Sequence, residues 1–443
     1  MTRLRVPLLV SGLTIVLSMG LIARLGDLGL HAGSMLVLGG LAFLAYLVAA
    51  VWALGPGGAT RSLPMILGLG LAARLVLIPT PPTLSEDLYR YLWDGRLVAH
   101  GVNPFPHAPS DPALTPYRND LLQRLNHADI PTIYPPAAQL LFAATAAVSE
   151  TPVAWKLLLL ALETLVVLSL LRLLGNRGLP PERLLLYYWN PLVLVESFGS
   201  GHVDLAAAAF LLLALWMYEE RRRARAGIAL ALAVLTKLVP ALLIPYFLRR
   251  RAWRLLGAAA ATVAVLYAPF LGAGSALGTG LGAYARHWEF NGAAYHLLHH
   301  VIASDLTIRR VLAAILLLAT LGIAWRARSA TGAALACLVA LLLLNRTLFP
   351  WYLVPIAAFL PLHPDWGLIV FSGLVGLSYL PLPAYRATGV WALPGWILGV
   401  EYGGLFTVWA AAALAAASGA RAGVSQREHA HVEESEEVED EEG

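Results

Sequence analysis

Residues Ser85–Pro109 read SEDLYRYLWDGRLVAHGVNPFPHAP, a dense group of acids, arginines and histidines in a chain otherwise built from apolar runs. In hydrocarbon each of these charges would cost about 2.5–3.5 kcal/mol. The stretch therefore belongs at a membrane surface, held there by helices on both sides.

Working outward, the whole chain supports this reading. Its 443 residues are 58% hydrophobic and 13% charged, with a mean hydropathy of +0.69. A soluble protein would carry about 25% charged residues. Runs of about 17–25 apolar residues, each long enough to span a bilayer, recur throughout. The alternation of a β-barrel is absent. The expected fold is all-α: a polytopic transmembrane bundle of about thirteen helices, with amphipathic helices in the first large outer loop. The formal charge of +4 comes from a strong excess of arginine. In such a chain it sets topology and does not indicate nucleic-acid binding. The single cysteine, Cys337, excludes a disulfide framework. No small-residue cleavage site follows the first apolar run, so that run is read as an uncleaved helix.

Arg3 and Arg5 place the N-terminus in the cytoplasm. Helices over about 8–22, 35–54 and 63–78, with a cytoplasmic turn at 55–61, carry the charged stretch to the outer face. It continues as a polar outer loop, 80–136. Residues 137–148 are apolar but short and read as a half-inserted or interfacial helix. Helices over 154–174, 184–198 and 205–218 follow, the last ending in EERRRARA, an inside marker. Residues 227–248 contain Pro240 and Pro245 and read as two half-helices. Residues 255–271 cross outward, and 275–305 form a second outer loop. Further helices are expected near 311–325, 332–345, 352–362, 366–380 and 396–417. The transmembrane domain thus spans 1–424, and the acidic tail 425–443 is expected to be cytoplasmic and disordered.

Asp87 and Asp94 lie seven residues apart, nearly one face of a helix two turns long. Tyr91 lies between them, and Arg90 reaches either acid. Two carboxylates on one face suit general-base work or cation binding. The plainer alternative is a solvated amphipathic helix with an Arg90–Asp pair. GVNPF, with Asn103, and Tyr134-Pro135-Pro136 are rigid corners of the same loop. In SFGSGHVDL, His202 and Asp204 stand at the outer end of two helices, as interface markers or as part of an outer cavity. Lys237, in LTKLVP, interrupts an apolar run; such a lysine is a functional candidate unless it snorkels. Arg346, in NRTLFPWY, either binds an anionic group or anchors the interface. The second outer loop offers Arg286, His287, Glu289, His296, His299 and His300, whose spacing argues only weakly for metal. Trp288, Trp351, Trp391 and Trp396 fit an aromatic belt.

In order, SEDLYRYLWDGRLVAHGVNPF, TIYPP, GSGHVD, LTKLVP and NRTLFPWY resemble the polyprenyl-phosphate-sugar-dependent glycosyltransferases of the GT-C superfamily, and among them the bacterial polyprenol-phosphate-mannose-dependent α-mannosyltransferases. The resemblance covers about residues 80–360. One departure is that the acid-bearing loop here follows three helices, where many relatives have it after the first. The resemblance implies an inner-membrane enzyme with an outward-facing site. It would move a hexose, mannose above others, from a polyprenyl-phosphate donor to a lipid or glycan acceptor. It implies Asp87 as catalytic base with Asp94 as second acid. Arg346, Lys237 and Arg90 are candidates for the donor phosphate. Tyr91, Asn103, Tyr134, His202, Asp204, Glu289 and His296 are candidates for substrate contact. No cofactor is expected; a divalent cation between Asp87 and Asp94 is the less favoured variant. A lipid-linked glycan polymerase or ligase, and a flippase, are the rival readings.

Overall fold

Apolar runs must become helices in lipid, because only a helix satisfies every backbone N–H and C=O from within its own segment. The computed structural model describes residues 6–55 and 62–441, with side chains to residue 418. Arg3, Arg5 and most of the 55–61 turn lie outside the described residues. Among those described there is no strand, only isolated bridges from Phe290 and Asn291 to Thr347. Among the described residues seven helices are long and apolar enough to cross a membrane, or eight if the pair Pro191–Gly199 and Asp204–Glu219, bent by 116°, is one span. Four further apolar helices are shorter. The expected count of about thirteen thus mixed spans with short and broken segments. The chain is a multi-pass membrane protein.

Helices α1 (Val6–Arg24), α2 (Ala32–Leu54) and α3 (Leu63–Leu77) precede α4 (Asp87–Ala99). Then come α5 (Pro136–Val148) and α6 (Pro152–Asn176). Thr151 caps α6 by accepting from the Ala154 N–H, and Pro152 sits in the first turn, where its missing donor is harmless. The thirteen residues of α5 rise about 20 Å, short of a bilayer core of about 30 Å.

The helix expected over 184–198 is instead a chain of short pieces, Pro181–Leu184, Leu185–Tyr188, Pro191–Leu194 and Val195–Gly199. Pro191 cannot continue a helix, and the Asn190 side chain accepts from Leu192 N–H and restarts the next piece. The remaining helices used below are α7 (Asp204–Glu219), α8 (Arg223–Thr236), α9 (Trp253–Tyr267), α10 (Asp305–Arg326), α11 (Ala330–Leu344) and α12 (Gly395–Glu441). The break expected inside 227–248 is present: α8 stops at Lys237, and Val239–Leu243 and Ile244–Arg249 follow. The region 352–362 is likewise split, between Pro350–Leu353 and Val354–Ala357, with Pro355 in the first turn of the second piece. α12 is the last element of the described chain and ends at Glu441.

α4 is not an amphipathic helix lying on a membrane surface. Its residues from Leu88 to Gly95, and Leu97, are all buried. Tyr91 stacks on Phe142 of α5, with ring centroids 4.6 Å apart and planes 5° from parallel. A Cβ at Gly95 would sit 2.3 Å from the Phe142 carbonyl oxygen, so the helices cross closely there. Arg96 clamps Glu150 through two bonds of 2.7 and 2.9 Å and donates to Tyr117 O. The two loops meet as well. His127 packs edge-on against Trp288 at 4.5 Å, and Asn103 donates to Phe270 O at 3.1 Å. Asn103 is therefore a fastener between the first loop and the segment after α9.

Candidate functional site

A cavity of 780 Å³ opens where α4, the two loops and the ends of α7, α8 and α11 converge. Its volume falls in the range of small-molecule sites. Asp87 begins α4, where the helix dipole favours an anion and the Ser85 hydroxyl accepts from its backbone N–H at 3.2 Å. Its carboxylate lines the cavity and makes no hydrogen bond or ion pair with the described residues. A free carboxylate in a cleft is able to accept a proton from a bound hydroxyl.

Asp94 has a different fate. It is fully buried, receives Arg90 Nε at 2.8 Å and Gln139 Nε2 at 3.3 Å, and does not line the cavity. Arg90 does reach the cavity wall, and it also donates to Ile130 O at 3.0 Å. The pair Asp87 and Asp94 on one working face is thus corrected: Asp94 sets Arg90, and Asp87 shares the cavity with Asp204, beside Glu86, Asp129 and Glu289.

Asp204 starts α7, and one oxygen receives Lys237 Nζ at 2.5 Å while the other has no partner. Lys237 sits where α8 breaks, 4.0 Å from the centre of the Tyr352 ring. It lines the cavity and has not snorkelled away. Asp87 and Asp204 both act electrostatically on the phenols of Tyr91, Tyr284 and Tyr352, so the two acids flank one space. The Tyr91 and Tyr134 rings meet edge-on, with centroids 5.0 Å apart. Burial, reinforced by the Asp87 charge, pushes both phenols well above their ordinary value, so they remain neutral hydrogen-bond partners.

The other expected site residues divide. Tyr134 and Glu289 line the cavity. Arg346 does not: it is held by Glu289 at 3.1 Å and Asp305 at 3.4 Å, over the Tyr295 ring. It closes the second loop onto the end of α11 and is not free for a phosphate. His296 stays outside, 4.0 Å from Glu289. His202 is buried behind the wall, its Nδ1 3.1 Å from Glu196 Oε2 and its ring stacked on Trp351 at 3.8 Å. Glu196 in turn accepts from Tyr379 at 3.0 and 3.1 Å. Among the described residues no group of three or more His, Cys, Asp or Glu is arranged to hold a metal.

Trp288, Trp351 and Trp391 line the cavity and do not form a membrane belt; only Trp396 is exposed as a belt residue would be. Phe290, Phe349 and Trp351 continue the stack from His202, with centroids 4.4 Å apart at each step. Tyr352 and Trp351 were inside a quoted motif, whereas Tyr284 and Tyr379 carried no sequence signal beyond being single aromatics in apolar runs.

The comparisons bear on the segment carrying Tyr134, Asp204, Lys237 and Trp351. Residues 132–353, half of the chain, match the model of glycosyltransferase family 87. The chain belongs to glycosyltransferase family 87. No curated protein and no solved structure matches it. Family 87 membership makes the protein a membrane glycosyltransferase, with a sugar donor and an acceptor as its substrates. Asp87 lies N-terminal to the matched segment, yet the fold delivers it to the same cavity.

Proposed function

We propose that this family 87 protein transfers a hexose, with mannose the first candidate, from a polyprenyl-phosphate donor to an acceptor hydroxyl, with inversion and with Asp87 as base. The observation that carries the reading is the free carboxylate of Asp87 facing the Lys237–Asp204 pair across one cavity. An apolar groove lined by Leu211, Leu338, Leu342 and Leu348 meets the cavity at Asp204 and Lys237. The lining has the apolar character that an isoprenoid chain would pack against, and the attached phosphate would then arrive at Lys237. The lysine ammonium would neutralise charge that grows on the leaving phosphate.

In the step itself, Asp87 takes the proton of the acceptor hydroxyl. The oxygen attacks the anomeric carbon, the carbon–oxygen bond to phosphate breaks, and polyprenyl phosphate leaves with the electron pair. General-base assistance of this kind contributes about 10²–10⁴ in rate. No nucleotide and no metal enter the step. The membrane would be the cell inner membrane, with the cavity on its outer side. The test is transfer from radiolabelled polyprenyl-phosphate-mannose and polyprenyl-phosphate-glucose by the purified protein, with envelope extract as acceptor, with and without chelator. Label should move into product in both chelator arms. Donor that is bound or relocated but never consumed would count against a transferase.

A further inference from the structure

A second recess, of 450 Å³, opens beside the mouth of the cavity on the far side of α4. Glu86 and Asn126 line both spaces, so the recess and the cavity adjoin at that shoulder. The helix start explains the division. Asp87, Arg90 and Tyr91 point to the cavity, whereas Glu86 and Tyr89, three residues apart, share the other face. Tyr89 is fixed by Arg124, whose guanidinium lies 5.3 Å from the ring centre and 3.4 Å from the hydroxyl. Asn126 donates to Glu86 at 3.4 Å, and the exposed Gln123 completes the rim.

This is a carboxylate, two amides, a phenol and two guanidinium groups around an open recess. It contrasts with the apolar groove at the Lys237 end of the cavity. Its charges also balance. Glu86 offsets Arg124, and Arg386, which reaches the same recess, is ion-paired with Asp27. A polyanion gains no net attraction there, while the paired donors and acceptors match the adjacent hydroxyls of a neutral sugar. Resting on the glycosyltransferase reading, we propose that this recess binds the sugar unit next to the accepting one, so that the acceptor is a neutral glycan of at least two units. The lipid donor enters from the Lys237 end, the glycan from the Glu86 end, and Asp87 stands between them.

The experiment measures transfer to octyl α-mannoside and octyl α-mannobioside as acceptors, using the full-length protein and whichever donor it consumes with envelope extract. Wild type should use the disaccharide glycoside about tenfold better in kcat/KM, as expected for a few added hydrogen bonds to charged and polar groups. Gln123→Ala and Tyr89→Phe should each shrink that advantage by raising the acceptor KM, with the donor KM unchanged. Gln123 is exposed and has no structural partner, so its variant keeps the test independent of folding. Equal use of the two glycosides, use of neither, or an unchanged acceptor KM in both variants would overturn the acceptor subsite while leaving the transferase reading intact. Absence of transfer from any donor to extract would overturn the transferase reading itself, and the subsite with it.

Discussion

Asp87 and Asp94 sit two turns apart on one helix, and their surroundings give them separate work. Asp94 is enclosed by Arg90 and Gln139, while Asp87 has only the cavity in front of it. Asp94→Asn leaves a nearly buried guanidinium without its counter-charge, a change that costs about 3–5 kcal/mol. Thermal unfolding in detergent should show a large drop in Tm. A variant with wild-type Tm and no transfer would return Asp94 to the chemistry. Lys237 is the cation at the head of the apolar groove. Lys237→Met should raise the donor KM by roughly tenfold or more, the scale of a lost charge-assisted bond. Adding Asp204→Asn removes the carboxylate left unpaired and should restore folding but not donor affinity. Restoration of donor affinity by the second change would show that Lys237 serves Asp204 alone. The spacing of the two acids was readable from sequence, but which of them is free was not. That depended on Gln139, forty-five residues downstream and without any signal of its own.

α4 shows what an element adds. Its charges suggested a helix wetted by solvent, because a pattern of charge does not say whether partners are waiting. Here Arg96 finds Glu150 and Arg90 finds Asp94, so most of the charged helix is buried against protein. Gly95 permits the close crossing with α5. Gly95→Ala must push the Phe142 backbone away and shift Asp87 with it. We expect a loss of about 1–3 kcal/mol, typical of overpacking, together with lower kcat, read by denaturation and by transfer. Unchanged stability would mean that α4 and α5 are free to separate. Helices such as α1, α2 and α6 were legible because long apolar runs have one solution in lipid. The pieces over 181–199 were not, because the run is largely apolar and, between Leu184 and Val195, only Asn190-Pro191 marks the break.

At the scale of the molecule, Arg74 is fully buried within α3. It bonds Glu163 of α6 at 2.5 and 2.6 Å and donates to the carbonyls of Gly70 and Tyr188 at 2.8 Å. This ties the N-terminal helices to the broken segment behind the cavity. Arg74→Met strands Glu163 in the protein interior and should cost about 3–5 kcal/mol. The double variant with Glu163→Leu should recover most of that loss, as measured by Tm. Failure of the double variant to recover would show that the carbonyl bonds, and not the ion pair, hold the junction. Neither residue stood out in the sequence, since a single charge in an apolar run gives no hint of its partner. The membrane class was evident from composition, and half of the chain carries the family 87 pattern. The meeting of Asp87 with Asp204 and Lys237 came only from the fold. The role of Asp87 as base is read in single-turnover transfer by Asp87→Asn beside wild type. A base at Asp87 requires that the variant fold, keep wild-type donor affinity and transfer more slowly by about 10²–10⁴. Transfer at the wild-type rate would contradict it.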